Sequence, residues 1–187
     1  MKKLVALFLL CWAAQVQAVE VAGVKLADSV HPGSRDLELN GAGVRTKIFF
    51  DLYVAALYLG EKKSNGAAVL ADGGEKRMAL YLLRDISADR LLGAFNAVIA
   101  ANHTPAEMAA LDALLREFSA IFHTMGEVKK GDVITLDYQP ASGTQVSVNG
   151  VSKGMIAGAA FNTALLKIWL GDKPAQADLK QKLLGGQ

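Results

Sequence analysis

The chain has 187 residues, of which 52% are hydrophobic and 20% charged, a composition typical of one compact globular domain. It carries 20 basic and 18 acidic residues, and Lys2 and Lys3 account for the difference. A nearly neutral chain without a run of Lys or Arg lacks the clustered cations that nucleic-acid binding requires, so we set that class of function aside.

Residues 1–18 are predicted to be a cleavable signal peptide. They begin with the basic "MKK", continue with the apolar "LVALFLLCWAA" and end with "VQA", which offers a cleavage site after Ala18. The apolar run is too short to cross about 30 Å of hydrocarbon, so we expect export to the periplasm and no membrane span after cleavage. The single cysteine, Cys11, falls in this segment, and the predicted mature domain, residues 19–187, therefore forms no disulfide.

The first half of the mature chain is predicted to be strands. These are "VEVAGVKLADSV", "LELNG", the run from Gly41 to Gly60 and "MALYLLR" from Met78 to Arg84. A glycine-rich, charged stretch between the last two predicts an exposed loop around a short helix.

Helices follow, with clear start signals. Ser87 is the predicted cap of a first helix, and Thr104-Pro105-Ala106-Glu107 forms a capping box for a second. Two more strands, joined by a hairpin at Asn149-Gly150, lead to an apolar helix predicted over 155–170 and a final amphipathic helix, "AQADLKQKLL". This order predicts an α+β domain, with an antiparallel sheet and helices on one face.

Residues for metal or nucleophilic chemistry are sparse. His31, His103 and His123 are far apart and have no ligand-spaced partners, so no metal site and no cofactor are predicted. The chain has no Gly-x-Ser-x-Gly motif, and no thiol remains after the expected cleavage. "GAGVRT" has no third glycine and precedes a strand, which argues against a dinucleotide loop.

Arg45 stands at the head of a β-branched and aromatic run that has Tyr58 near its far end. If the chain reverses at Asp51-Leu52, Arg45 pairs with Tyr58 across a hairpin and on the same face. A guanidinium and a phenol, in an apolar wall of Phe49, Leu57 and Leu59, would suit the carboxylate of an amphipathic anion. The alternative is an ordinary arginine at a strand end that extends its charge into solvent.

The blocks "LNGAGVRTK", "YVAALYLG", "VNG" with "AAFNTALLKIWLGDKP", and "DLKQKLLG" resemble the chalcone isomerase-like family over nearly the whole mature chain. The resemblance implies an open-faced β-sandwich with helices over a long antiparallel sheet. The family includes plant chalcone isomerases, fatty-acid-binding members, non-catalytic relatives and secreted bacterial proteins.

The resemblance also implies roles for particular residues. Arg45 matches the family arginine, Tyr58 the carboxylate-contacting tyrosine of the fatty-acid binders, and Asn96 the helix asparagine of the enzymes. Tyr53 replaces the enzymes' strand threonine and is a further candidate ligand-binding residue. The helix tyrosine and the late hydroxyl residue of the enzymes are replaced by Asp89 and Ile168.

Three functions remain open at this point. The first is a non-catalytic binder of a fatty acid or similar anion, with Arg45 and Tyr58 at the head group and no cofactor. The second is an intramolecular lyase in which Arg45 and Asn96 stabilise an enolate. The third is a structural or interaction protein with a closed pocket, in which a carboxylate such as Asp51 pairs with Arg45. The sequence does not identify protein partners.

Overall fold

The computed structural model describes residues 19–186, so the predicted signal peptide lies outside the described residues. Eleven strands are present in this part of the chain: β1 Val19–Val21, β2 Val24–Leu26, β3 Ser29–Val30, β4 Leu37–Lys47, β5 Phe50–Leu59, β6 Lys76–Leu82, β7 Ile86–Ser87, β8 Glu127–Val128, β9 Val133–Gln139, β10 Gly143–Val148 and β11 Val151–Ile156. The same range holds five helices: α1 Gly66–Ala71, α2 Ala88–Ala101, α3 Pro105–Met125, α4 Ala159–Leu170 and α5 Ala177–Leu183.

Seven strands form one curled antiparallel sheet in the order β11-β10-β9-β6-β5-β4-β3. The main core lies between one face of this sheet, here called the helix face, and helices α2 to α5. Alternate residues of β5, from Tyr53 to Leu59, enter this core because successive side chains of a strand point to opposite faces. The predicted α+β architecture, with an open-faced sheet and helices on one side, is confirmed.

The main core is closed by an aromatic cluster contributed by three helices. Phe95 of α2 packs edge-on against Phe122 of α3 and Trp169 of α4, with ring centroids 6.1 and 5.4 Å apart. Phe118 contacts Phe122 and Phe161 at 4.6 and 5.2 Å. Such pairs add stabilisation beyond the area they bury, and they fix how α2, α3 and α4 sit on the sheet.

A second, smaller core covers part of the opposite face, here called the open face. The hairpin β1–β2 places Leu26 there, with Val21 and Val24 beside it, against residues of β5 that include Val54 and Tyr58. The alternate residues of β5 are thus divided between two cores. A shift of register by one residue would exchange the two sets, so the register is strongly specified.

The start of α4 differs from the prediction. We expected a helix over 155–170, but Met155 and Ile156 belong to β11, where they pair with Gln145 and Thr144. Gly158 then takes φ +86, a conformation that favours glycine and separates the strand from the helix. The apolar run was continuous across this boundary, so periodicity alone could not separate a buried strand end from a buried helix.

The capping box at Thr104 is confirmed. The Thr104 side chain accepts a hydrogen bond from the Glu107 amide at 3.3 Å, and the Glu107 carboxylate accepts one from the Thr104 amide at 2.7 Å. Pro105 occupies the first turn of α3, where its missing N–H costs nothing.

Thr104→Ala should lower the free energy of unfolding by about 1 kcal/mol, because the first turn of α3 loses a side-chain acceptor for one of its free amides. Urea denaturation measures the change. Thr104→Ser keeps the hydroxyl and should stay close to the wild-type midpoint. Equal midpoints for the alanine and serine variants would show that the cap does not stabilise the helix.

Candidate functional site

The β4–β5 register differs from the predicted one. The chain reverses at Ile48-Phe49, and Arg45 lies opposite Tyr53, whereas Tyr58 lies opposite Leu39. The predicted turn at Asp51-Leu52 was therefore wrong. Two features explain why the sequence did not predict this register. Neither Ile nor Phe is a typical turn residue, and a bulge between Arg45 and Thr46 adds one residue to β5 without any signal in the sequence pattern.

Arg45 and Tyr58 lie on opposite faces of the sheet, because the register is displaced by an odd number of residues. Tyr58 is fully buried in the smaller core, and its closest strand neighbour on β6 is Arg77. Burial, followed by the Tyr81 hydroxyl, raises the pKa of Tyr58 above its usual range. The proposed head-group clamp of Arg45 with Tyr58 cannot form in this fold.

Arg45 lies half-buried on the helix face, beside the start of α5. Its Nη1 donates hydrogen bonds to the carbonyl of Thr46 and to Gln176 Oε1, the latter at 3.0 Å, and Gln176 also accepts from the Thr46 amide at 2.9 Å. Both acceptors are neutral, and Arg45 forms no ion pair with any described carboxylate. Asp51, the expected counter-ion, instead accepts a hydrogen bond from the Thr46 hydroxyl at 2.7 Å.

Both side-chain hydrogen bonds of Arg45 leave from Nη1, so its Nε–Nη2 edge has no partner among the described residues. This edge is one of the two that bind a carboxylate through a pair of parallel hydrogen bonds. The Coulomb attraction between an anion and a half-buried guanidinium that has no described counter-ion is stronger than the same attraction in bulk water, because the effective dielectric constant is lower.

Tyr53 is the neighbour of Arg45 on the helix face. Directly opposed residues of antiparallel strands have Cβ atoms about 5 Å apart. Tyr53 is buried, and its hydroxyl oxygen accepts a hydrogen bond from Trp169 Nε1 at 3.1 Å. Burial raises the pKa of Tyr53 to about 12, against the opposing effects of the Trp169 hydrogen bond and the Arg45 charge. The hydroxyl therefore stays protonated at neutral pH, and its own proton remains available to an acceptor.

Asn96 lies on α2 rather than on the hairpin. Its Oδ1 is buried and has no hydrogen-bond partner among the described residues. The preceding residue, Phe95, packs on Trp169, which in turn bonds Tyr53. Asn96 follows Phe95 along α2, and no hydrogen bond among the described residues joins it to Arg45 or Tyr53.

A cleft of about 600 Å³ opens where the tip of β4–β5 meets the N-terminus of α2. Its apolar lining comes from Leu52, the bulged residue next to Tyr53, together with Phe50, Ile86, Leu91 and Ala94. Three cations surround it, Lys47, Arg84 and Arg90, here called the basic rim. The volume lies in the range of small-molecule sites, and an apolar lining with a charged edge suits an amphipathic anion.

Three further clefts, of about 520, 420 and 380 Å³, are smaller. Arg45 lines none of these four clefts. Within residues 19–186, the His, Cys, Asp and Glu side chains form no group of three with the proximity that a metal ion requires. No helix in the same range has both the length and the apolar character needed to cross a bilayer.

Two residues of the site were missed by sequence reasoning. Gln176 holds the Arg45 guanidinium from the N-cap of α5, and Trp169 fixes the Tyr53 hydroxyl from α4. Both are more than a hundred positions away from their partners along the chain, and no local pattern connects them. Only the packing of α4 and α5 on the sheet brings them to the hairpin.

Comparison with known proteins agrees with this architecture. The structure resembles the crystal structure of an Arabidopsis thaliana fatty-acid binding protein, with a TM-score of 0.64, 14% sequence identity, and coverage of 87% of this chain and 92% of that one. At this identity the likeness establishes the fold. No protein with curated annotation matches the sequence.

The profile of the family described as chalcone isomerase-like matches residues 18–185. The match extends over both layers of the fold and includes the hairpin with Arg45 and Tyr53, the helix with Asn96 and the two C-terminal helices. The protein thus belongs to the chalcone isomerase-like family.

Proposed function

We propose that the protein binds a fatty acid or a similar long amphipathic anion without chemical change, and that it does so after export to the periplasm. The observation that carries the proposal is the half-buried guanidinium of Arg45, which has neither a counter-ion nor a partner for its Nε–Nη2 edge within residues 19–186, beside the available hydroxyl proton of Tyr53. The fold shared with a fatty-acid binding protein supports the same class of ligand.

The carboxylate would lie at Arg45 and Tyr53, where a guanidinium supplies a bidentate partner and a phenol a third hydrogen bond. Tyr53 takes the role first assigned to Tyr58, since it is Tyr53 that faces the same side of the hairpin as Arg45. The alkyl chain would extend past Leu52 into the cleft of about 600 Å³.

Arg45→Gln should weaken laurate or palmitate binding about ten- to a hundredfold, because a charge-assisted hydrogen bond contributes about 1.5–3 kcal/mol. Tyr53→Phe should weaken it several-fold. Tyr58→Phe is the matched control, since it removes the same hydroxyl from the opposite face and should leave affinity unchanged. Isothermal titration calorimetry, with an alcohol of equal chain length as a second ligand, measures these effects.

The place of the alkyl chain is tested separately. Ala94→Phe fills the cleft from α2 and should reduce affinity for long chains more than for short ones, whereas Ala97→Phe, on the same helix and outside the cleft, should not. Fatty-acid binding that survives Arg45→Gln undiminished would refute the proposed head-group site.

Export is tested by purification of the protein from the periplasm. Mass spectrometry of this material should show an N-terminus at Val19.

One observation favours the second candidate, an intramolecular lyase. The buried Oδ1 of Asn96 has no partner in the part of the chain that the structure describes, as expected of a side chain that awaits a ligand. In this alternative Arg45 stabilises a developing enolate by its fixed charge. Arg45-dependent cyclisation of a chalcone above the spontaneous rate would establish the lyase and overturn the binder.

A further inference from the structure

The tip of the β4–β5 hairpin exposes three consecutive apolar side chains: Ile48 at 77%, Phe49 at 91% and Phe50 at 56% exposure. Only three other large hydrophobic residues of the described range are exposed, and they are Val19, Val151 and Met155. Isolated apolar residues on a surface are ordinary, but a contiguous run at a protruding turn indicates a binding function.

The backbone at this tip is strained. Ile48 has φ +60, and for a β-branched residue that conformation is a genuine outlier. The turn at Asn149-Gly150 places asparagine and glycine at positive φ, the usual choice for tight hairpins. The turn at Ala22-Gly23 has Ala22 at φ +49 but keeps glycine at its second position. At the β4–β5 tip the chain instead keeps isoleucine and phenylalanine, so stability is given up for an exposed apolar surface.

The surroundings of the tip carry a small excess of positive charge. Arg84 lies over the Phe50 ring at 4.5 Å, and the members of the basic rim form no ion pair with a described carboxylate. Two carboxylates, Asp85 and Glu127, also line the cleft and share Lys129 as their ion-pair partner. With Asp51 next to the turn, three carboxylates face four cations, the basic rim and Lys129, so a net charge of about +1 remains.

We propose that this tip, defined as Ile48, Phe49 and Phe50, inserts into the interface of a lipid bilayer that carries anionic head groups, while the basic rim contacts the phosphates. Apolar side chains flanked by Lys and Arg bind such interfaces through buried apolar area and attraction to anionic lipid. A protein partner fits less well, since a stable complex buries about 800 Å² per side and three side chains supply less than that.

The tip lies next to the mouth of the cleft of about 600 Å³, so docking of the tip would also place this cleft at the membrane. Phe50 and the basic rim also line the cleft beside Leu52 and Leu91, so a docked tip holds the mouth of the cleft at the bilayer surface. An amphipathic anion could then pass between bilayer and cleft without crossing open water. This consequence rests on the proposed function, whereas the docking itself does not.

Vesicle co-sedimentation tests the docking. The protein should bind vesicles of phosphatidylglycerol and phosphatidylcholine more tightly than phosphatidylcholine alone, and Phe49→Ser should weaken binding about tenfold, because a large apolar side chain leaves the interface. Val151→Ser, at the exposed β10–β11 turn, is the matched control and should bind as the wild type does. All variants have the same residues 1–18, so this segment cannot explain a difference in vesicle binding between them.

Ile48→Asn tests separately the effect of the strained backbone on stability and the effect of the apolar side chain on vesicle binding. Asparagine tolerates positive φ, so the melting temperature should rise while vesicle binding falls several-fold. Arg84→Gln should weaken binding to anionic vesicles and leave the weak binding to neutral ones unchanged. In Phe49→Trp the tryptophan emission should shift to shorter wavelength on addition of anionic vesicles, whereas Val151→Trp should show no shift.

Failure of docking can be distinguished from failure of the proposed function. Phe49 lines neither the cleft nor the Arg45 site, so Phe49→Ser should retain fatty-acid binding in solution, while Arg45→Gln should retain vesicle binding. Unchanged vesicle binding by Phe49→Ser, or no preference for anionic lipid, would overturn the proposal. A dimer in analytical ultracentrifugation that Phe49→Ser abolishes without vesicles would assign the tip to a second copy of the chain instead.

Discussion

Asp137→Ala should lower the free energy of unfolding by about 3 kcal/mol, because it leaves the Arg77 guanidinium unpaired on the open face of the sheet. Arg77 and Asp137 lie directly opposite each other on β6 and β9. Nε and Nη2 of Arg77 donate to the two carboxylate oxygens at 2.5 and 2.7 Å. The side chains are only 21% and 9% exposed, so water replaces the lost partner poorly.

The exposed pair Arg116–Asp112 provides the matched control. Its side chains are 71% and 57% exposed, so Asp112→Ala should cost no more than about 0.5 kcal/mol. The double replacement Arg77→Met with Asp137→Leu should recover most of the loss, because it removes both charges together. Urea denaturation measures all three, and equal losses for Asp137→Ala and Asp112→Ala would contradict the role assigned to burial.

Gly41→Ala should also destabilise the protein by about 3 kcal/mol, at the upper end for an overpacked site. A Cβ at Gly41 would lie 2.1 Å from the Lys182 carbonyl oxygen and 2.7 Å from that of Leu183. These are backbone atoms of α5 and cannot rotate away. The neighbouring Asn40 resists a shift, since its side chain donates to the Leu183 carbonyl at 2.7 Å.

Gly41→Ala should also disturb the geometry of the candidate site. Displacement of α5 would move Gln176, its N-cap, away from Arg45, so fatty-acid affinity should fall together with stability. Gly93→Ala is the control, because nothing lies within 4 Å of the added methyl and alanine is preferred in a helix by about 1 kcal/mol. The Gly93 variant should be slightly more stable. A Gly41 variant as stable as the wild type would show that α5 is not tightly seated.

Predictions from the sequence succeeded where a local interaction decides the outcome. The capping box at Thr104, the cap at Ser87 and the turn at Asn149-Gly150 are all formed by residues within three positions of one another, and each is present. The membership of the chalcone isomerase-like family and the sheet with helices on one face are likewise confirmed.

The site shows the opposite case. Arg45 lies on the β4–β5 hairpin, but it does not pair with Tyr58 as predicted, since the register depends on a bulge and on a strained turn at Ile48. An odd displacement of register exchanges the two faces of a strand. Tyr58 therefore entered the smaller core, and Tyr53 took the place beside Arg45.

The amino-acid sequence by itself determined the element types, the helix caps and the family of this protein, because these follow from periodicity, from hydrogen bonds between near neighbours and from recurrent sequence blocks. Only the tertiary structure decided which tyrosine faces Arg45, that Gln176 and Trp169 complete the site, and that Ile48, Phe49 and Phe50 stay exposed. The physical reason is that these outcomes depend on which face of the sheet each helix covers. That choice is made by packing between residues far apart in the chain, and no local pattern encodes it.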